Sequence, residues 1–191
     1  MLGLKRGIRM RTKTIGATYL LVGVILAAFV AVLVAVVRTT SAPDYNVQGA
    51  AAALIQPVVA LVALTAIVCL MMVVYRNVAL IRGTASERYF RTFTADKPVE
   101  WVERPTRTYM NLLELPVLFY LVCLLMLTTG RFDSVQVSLA WVFVITRYVH
   151  AFIYIGFNYV PLRFVAFLTG VFTLAVIWTR FAEQNMIWHL S

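Results

Sequence analysis

Long apolar runs separated by short polar connections fill the chain from residue 15 to residue 179. Residues 15–37 and 50–75 carry no Asp, Glu, Lys or Arg. Residues 112–129, 135–155 and 161–179 are similarly apolar but contain Glu114, Arg147 with His150, and Arg163. A helix needs about 20 apolar residues to cross the hydrocarbon core of a bilayer. The pattern therefore predicts five transmembrane helices, with Pro57 near the start of the second and Pro116 kinking the third. The runs are too long, and alternate too little, for barrel strands. The connection over residues 81–102 mixes charges with Gly83, Thr84, Ser86 and Pro98. It reads as a loop with a short amphipathic piece over residues 89–93 lying on the membrane surface.

Composition agrees. Hydrophobic residues make up 62% of the chain and charged residues 13%, against about 45–50% and about 25% in soluble domains. So little polar surface excludes a water-soluble globular domain and a disordered chain. The charges are unevenly placed, for a net +9. Lys5, Arg6, Arg9, Arg11 and Lys13 precede the first run, and Arg76, Arg82, Arg88, Arg91, Lys97, Arg104 and Arg107 lie between the second and third. Arg38, Arg131 and Arg180 mark the other side. Cytoplasmic loops concentrate Lys and Arg, which puts the N-terminus and the second connection in the cytoplasm and the C-terminus outside, most simply in a bacterial inner membrane. The charge is thus a topology signal, and no nucleic-acid partner is expected. The first run exceeds the about 7–15 residues of a signal-peptide core, and Pro43 spoils a cleavage site after Ser41-Ala42, so it reads as a retained anchor. Cys69 and Cys123 sit in apolar runs as small hydrophobes, and two histidines assemble no metal site.

A polar stripe carries the chemistry. Arg104, Arg107, Asn111 and Glu114 are spaced to share one helical face, with Pro105 read as part of the helix's first turn. Arg147, His150 and Tyr154 share a face of the fourth span, and Arg163 opens the fifth. Ionisable groups inside spans cost about 2.5–3.5 kcal/mol each on the insertion scale and usually serve function. Individually, Glu114 reads equally as a partner of Arg147 or Arg107 holding helices together, Asn111 as interhelical glue, and Arg104 and Arg163 as cations reaching for lipid phosphates. His150 reads as support for the site. Together the stripes predict a positive, partly desolvated pocket near the cytoplasmic face. Such a pocket suits carboxylate-bearing small molecules and favours a thiolate.

The run from Glu103 through Arg104, Arg107 and Asn111 to Glu114, followed by Arg147, His150, Tyr154 and Arg163, resembles the MAPEG family of membrane-associated proteins in eicosanoid and glutathione metabolism. The family includes microsomal glutathione transferases, leukotriene-C synthase and microsomal prostaglandin E synthase. The resemblance covers roughly residues 50–181. It implies an all-α integral membrane fold, a MAPEG-like four-helix bundle protomer over residues 50–191. Residues 1–49 then supply a basic tail, an extra N-terminal transmembrane helix without a family counterpart, and a short external loop. It further implies a homotrimer with glutathione as cosubstrate between subunits. Arg107, Asn111 and Glu114 would bind the glutathione backbone, with Arg104, Arg147, His150 and Tyr154 in the same site. Arg76 would match a further glutathione-binding arginine, and Arg163 the arginine that stabilises the thiolate. Phe164 and Phe167 stand where the prostaglandin E synthase pattern has Ser and Tyr, a departure from the isomerase pattern. Met110 replaces a basic residue of some members.

The expected function is a glutathione transferase or peroxidase-like enzyme whose hydrophobic electrophile arrives from the bilayer lipid. The alternatives are a non-catalytic MAPEG-like protein that binds a ligand or partner, and a transporter or channel subunit with a buried Glu–Arg path. Five spans without inverted repeats count against the last.

Overall fold

The computed structural model describes residues 47–92 and 98–186, all of it helix and turn. The basic tail and the extra helix expected over residues 15–37 lie outside the described residues. Four long helices, α1 (Val47–Ile81), α3 (Glu100–Thr129), α4 (Ser134–Ile155) and α5 (Val160–Met186), run up and down, with a short α2 (Glu87–Thr92) in the connection between α1 and α3. All four are long and apolar enough to cross a membrane, and the protein is an integral membrane helical bundle.

Burial follows the helical period. On α1, Leu54, Leu61, Leu64 and Val68 face the other helices, while Val59, Val62, Leu70 and Val73 are exposed. An outward face of large aliphatic side chains belongs in lipid, where every backbone donor must be satisfied within the helix. The centre is closed by Phe119 of α3 stacked on Phe143 of α4, ring centroids 4.7 Å apart. The most extensive interface joins α4 to α5, and the next joins α1 to α3.

The helix ends explain the turns. Gly130 closes α3 in the left-handed conformation (φ 65) that only glycine adopts freely. Asp133 caps α4: its Oδ1 accepts from the Gln136 amide at 2.9 Å, and Gln136 Oε1 accepts from the Asp133 amide at 3.0 Å. At the same end, Arg180 of α5 donates to Asp133 Oδ2 at 2.6 Å. The α4–α5 turn is tight. Asn158 tolerates φ 49 there, and its amide donates to Ile153 O at 2.7 Å. Pro161 lies in the first turn of α5, where no amide donor is required.

The expected boundaries shift at one place that matters. α3 begins at Glu100, well before the apolar run at residue 112, so the polar stripe is an N-terminal extension of the spanning helix. Glu100 and Glu103 in its first turn complement the helix dipole. Pro105 consequently lies within α3 beyond its first turn, which corrects the first-turn reading.

Candidate functional site

The polar residues gather at one end of the bundle, where α1 finishes, α3 starts and α4 turns into α5. Two adjoining cavities occupy that end. The first, about 220 Å³, is lined by Pro98, Glu100, Glu103, Arg104, Arg107, Tyr154 and Asn158. The second, about 270 Å³, is lined by Asn111, His150, Tyr154, Val160, Arg163, Phe164 and Phe167. Tyr154 is the wall they share.

Each cation is held in place. Arg104 Nη1 donates to Gly156 O at 2.6 Å, which pins the start of α3 to the α4–α5 turn, and Nη2 donates to Glu100 Oε1 at 3.1 Å. Glu100 also accepts from Asn158 Nδ2 at 3.0 Å. Arg107 pairs with Glu103 (3.6 Å) and interacts electrostatically with Tyr154, which lines the same cavity. Arg163 Nη1 donates to Asn158 Oδ1 at 2.6 Å, and its guanidinium lies over the Tyr154 ring, 4.1 Å from the centroid. Tyr154 thus has the Arg107 charge beside it and the Arg163 guanidinium over its face. The result is a rim of alternating charge with three guanidinium groups fixed in orientation.

Outside the bilayer-spanning segments, Tyr89 of α2 supports this rim. Its hydroxyl donates to Glu103 Oε1 at 2.9 Å. Burial first, and the Glu103 carboxylate second, push its ionisation above the ordinary tyrosine value.

The predicted residues divide three ways. Arg104, Arg107, Asn111, His150, Tyr154 and Arg163 line the two cavities. Arg147 and Arg76 do not line them. Arg147 is 1% exposed between α4 and α5, where Nη2 donates to Ala166 O and Phe167 O at 3.2 and 3.1 Å. Arg76 donates to Thr106 Oγ1 at 3.3 Å and lies over the Phe90 ring. Glu114 faces outward on α3, exposed beside Leu113 and Val117, with no hydrogen bond or ion pair among the described residues. Neither Arg147 nor Arg107 is its partner. The pairing that holds Arg107 is Glu103.

Glu100 and Asn158 complete the first cavity and were not singled out from the sequence. Asn158 had a signal in the Gly156-Phe157-Asn158 turn between two apolar runs. Glu100 had none, because the N-cap residue Val99 makes no side-chain cap that would mark the helix start.

The family profile described as MAPEG family matches residues 54–182. No curated protein and no solved structure matches the chain.

Proposed function

Because the chain belongs to the MAPEG family, we propose that it is a membrane-bound enzyme that adds the thiolate of glutathione to hydrophobic electrophiles. The observation that carries this reading is the pair of cation-rimmed cavities joined at Tyr154. The first holds both signs of charge, Glu100 and Glu103 beside Arg104 and Arg107. That suits a zwitterionic peptide with one ammonium and two carboxylates, since guanidinium groups grip carboxylates bidentately and stay charged. The second cavity has Arg163 in the opening turn of α5, where the helix dipole adds to its charge. A thiol reaching it is favoured as thiolate. Its other walls, Val160, Phe164 and Phe167, are apolar and offer a bilayer-derived electrophile a place beside the sulfur. The thiolate pair forms the new C–S bond, and the electrophile's leaving group departs with its own pair, or its multiple bond takes up a proton from water. Fixed positive charge at the sulfur is the main catalytic contribution.

Two features complete the reading. The cavities lie at the end bearing the basic connection, which the charge rule assigns to the cytoplasm. Outward-facing Glu114 requires cover inside a membrane, and the interface of a homotrimer supplies it, bringing this carboxylate and Arg76 of one copy toward the site of another.

The test is ultraviolet difference absorbance in the thiolate band as glutathione is added to the detergent-solubilised protein. A saturable signal that falls at neutral pH in Arg163→Ala is expected. Glutathione binding by calorimetry without that signal moves the assignment to a ligand-binding protein, and no binding removes the glutathione reading.

A further inference from the structure

Arg147 is the largest fully buried side chain among the described residues, and no carboxylate among them answers it. Arg104, Arg107 and Arg180 each pair with a carboxylate. Arg147 has two backbone carbonyls and the rings of Phe143 and Phe167, at 5.3 and 5.6 Å from Cζ, while its Nε has no partner. Burying a charge is costly unless it is paired, and arginine does not escape by deprotonating. A clamp on two carbonyls needs only a neutral amide. Clamping α4 to α5 therefore does not account for the charge.

The charge lies directly behind the second cavity. Phe167 lines that cavity and carries the Arg147 guanidinium against its ring. His150, one helical turn along α4, lines it too. One aromatic layer thus separates a permanent cation from the space beside Arg163, in surroundings that screen poorly. We propose that Arg147 is a positioning residue for charge: through the Phe167 layer it holds the bound thiol as thiolate, and the thiolate is the counter-ion the buried guanidinium otherwise lacks. This rests on the cavity being the glutathione site. The thiol gives its proton to water at the cavity mouth, the bonding pair stays on sulfur, and nothing is oxidised. The groups facing the sulfur's cavity are His150 and Tyr154 from α4 and Arg163 from α5. From α3 come Asn111 and, beside Tyr154 in the adjoining cavity, Arg107. Among the described residues no Asp or Glu lines it, so Arg147 and Arg163 act on one anion with the same sign.

The experiment titrates the thiolate absorbance of bound glutathione against pH in the full chain, with Arg147→Gln (neutral, still a donor to the two carbonyls) and Arg147→Lys (charge kept). Binding of S-methylglutathione, which has no thiol to ionise, is the control. Arg147→Gln is expected to move the titration up by about one pH unit, a tenfold loss of thiolate on the acid limb, with S-methylglutathione affinity changed less than about twofold. Arg147→Lys stays near the unaltered protein. An unmoved titration in folded Arg147→Gln overturns the inference. Should that variant not fold, Arg163→Ala decides. With Arg147 in place its bound thiol still ionises below free glutathione, and a return to the free value overturns the inference. Absent S-methylglutathione binding in the unaltered protein overturns the glutathione reading itself, whereas intact binding with an unmoved titration overturns this inference alone.

Discussion

Gly170 of α5 faces the guanidinium of Arg147 so closely that a Cβ built there would lie 2.8 Å from Cζ and against Nη2, and 2.9 Å from Thr146 Oγ1. The absent side chain is the space the arginine fills. Gly170→Ala gains helix propensity of about 0.5–1 kcal/mol but forces a buried, doubly hydrogen-bonded group to move. Overpacking of this kind costs about 1–3 kcal/mol, so net destabilisation is expected. Thermal unfolding in detergent should show a lower midpoint. Combining the change with Arg147→Gln, whose shorter side chain clears the site, should recover part of the loss as a non-additive term.

That relationship also shows where sequence reading stops. The spacing of Arg147, His150 and Tyr154 identifies a shared helical face, and His150 and Tyr154 do line a cavity. Arg147, on the same face, turns into the α4–α5 interface because Gly170, far along the chain, leaves room. The helices were legible because burial in lipid imposes long uncharged runs. The start of α3 was not, because a polar extension of a spanning helix looks like a loop when its N-cap makes no side-chain bond. The outward direction of Glu114 was hidden for another reason. Period and hydropathy place a residue on a face, and only packing decides whether that face meets its own bundle.

Tyr154 is held twice, so its two contacts can be separated. Tyr154→Phe removes the hydroxyl that interacts with the Arg107 charge while keeping the ring beneath Arg163. Without it Arg107 is oriented, among the described residues, by Glu103 alone, and glutathione affinity should fall about tenfold, equivalent to about 1.4 kcal/mol. Tyr154→Leu also loses the cation–π contact, about 0.5–2 kcal/mol, and should lower affinity further. Calorimetry on both variants checks the order. Equal losses would mean that the ring contact carries no binding.

Tyr89 gives the rim a pH dependence with a definite sign. Its ionisation lies above the ordinary tyrosine value of 10.0 in the folded protein, through burial and the neighbouring Glu103. The bond to Glu103 therefore contributes fully below pH 10 and is lost as pH rises through the higher folded value. Tyr89→Phe should cost about 0.5–1.5 kcal/mol at a constant difference across neutral pH. The gap to the unaltered protein should close only in strong alkali. Parallel melting curves from neutral to alkaline pH would show it, and a gap that closes near neutrality would assign the effect to another group.

Asp133 ties the opposite end. It caps α4 and accepts from both Arg180 and Gln184 of α5. Loss of an N-cap costs about 0.5–2 kcal/mol, and Asp133→Ala also leaves the Arg180 charge unanswered in a partly buried setting. A clear fall in detergent-unfolding midpoint is expected, with Gln136→Ala, which removes only the reciprocal half of the cap, falling less. Glutathione affinity should be unchanged in both, because the cavities lie at the far end of the bundle. A large affinity loss would show that the two ends are mechanically coupled.

Glu114 separates the proposed trimer from an isolated bundle by the sign of one change. An ionised side chain facing lipid costs about 2.5–3.5 kcal/mol on the insertion scale. Were that its setting, Glu114→Ala would raise the unfolding midpoint and leave glutathione affinity alone. Covered by a neighbouring copy at a glutathione site, the carboxylate instead has a donor to answer, and Glu114→Ala removes that bond. The expected outcome is an affinity loss of about tenfold, equivalent to about 1.4 kcal/mol, with no gain in stability. Native mass spectrometry in detergent should count three chains in both proteins. Since Glu114 has no partner among the described residues, a binding loss on this substitution together with a three-chain assembly points to a residue of another copy, or the ligand itself, at that face.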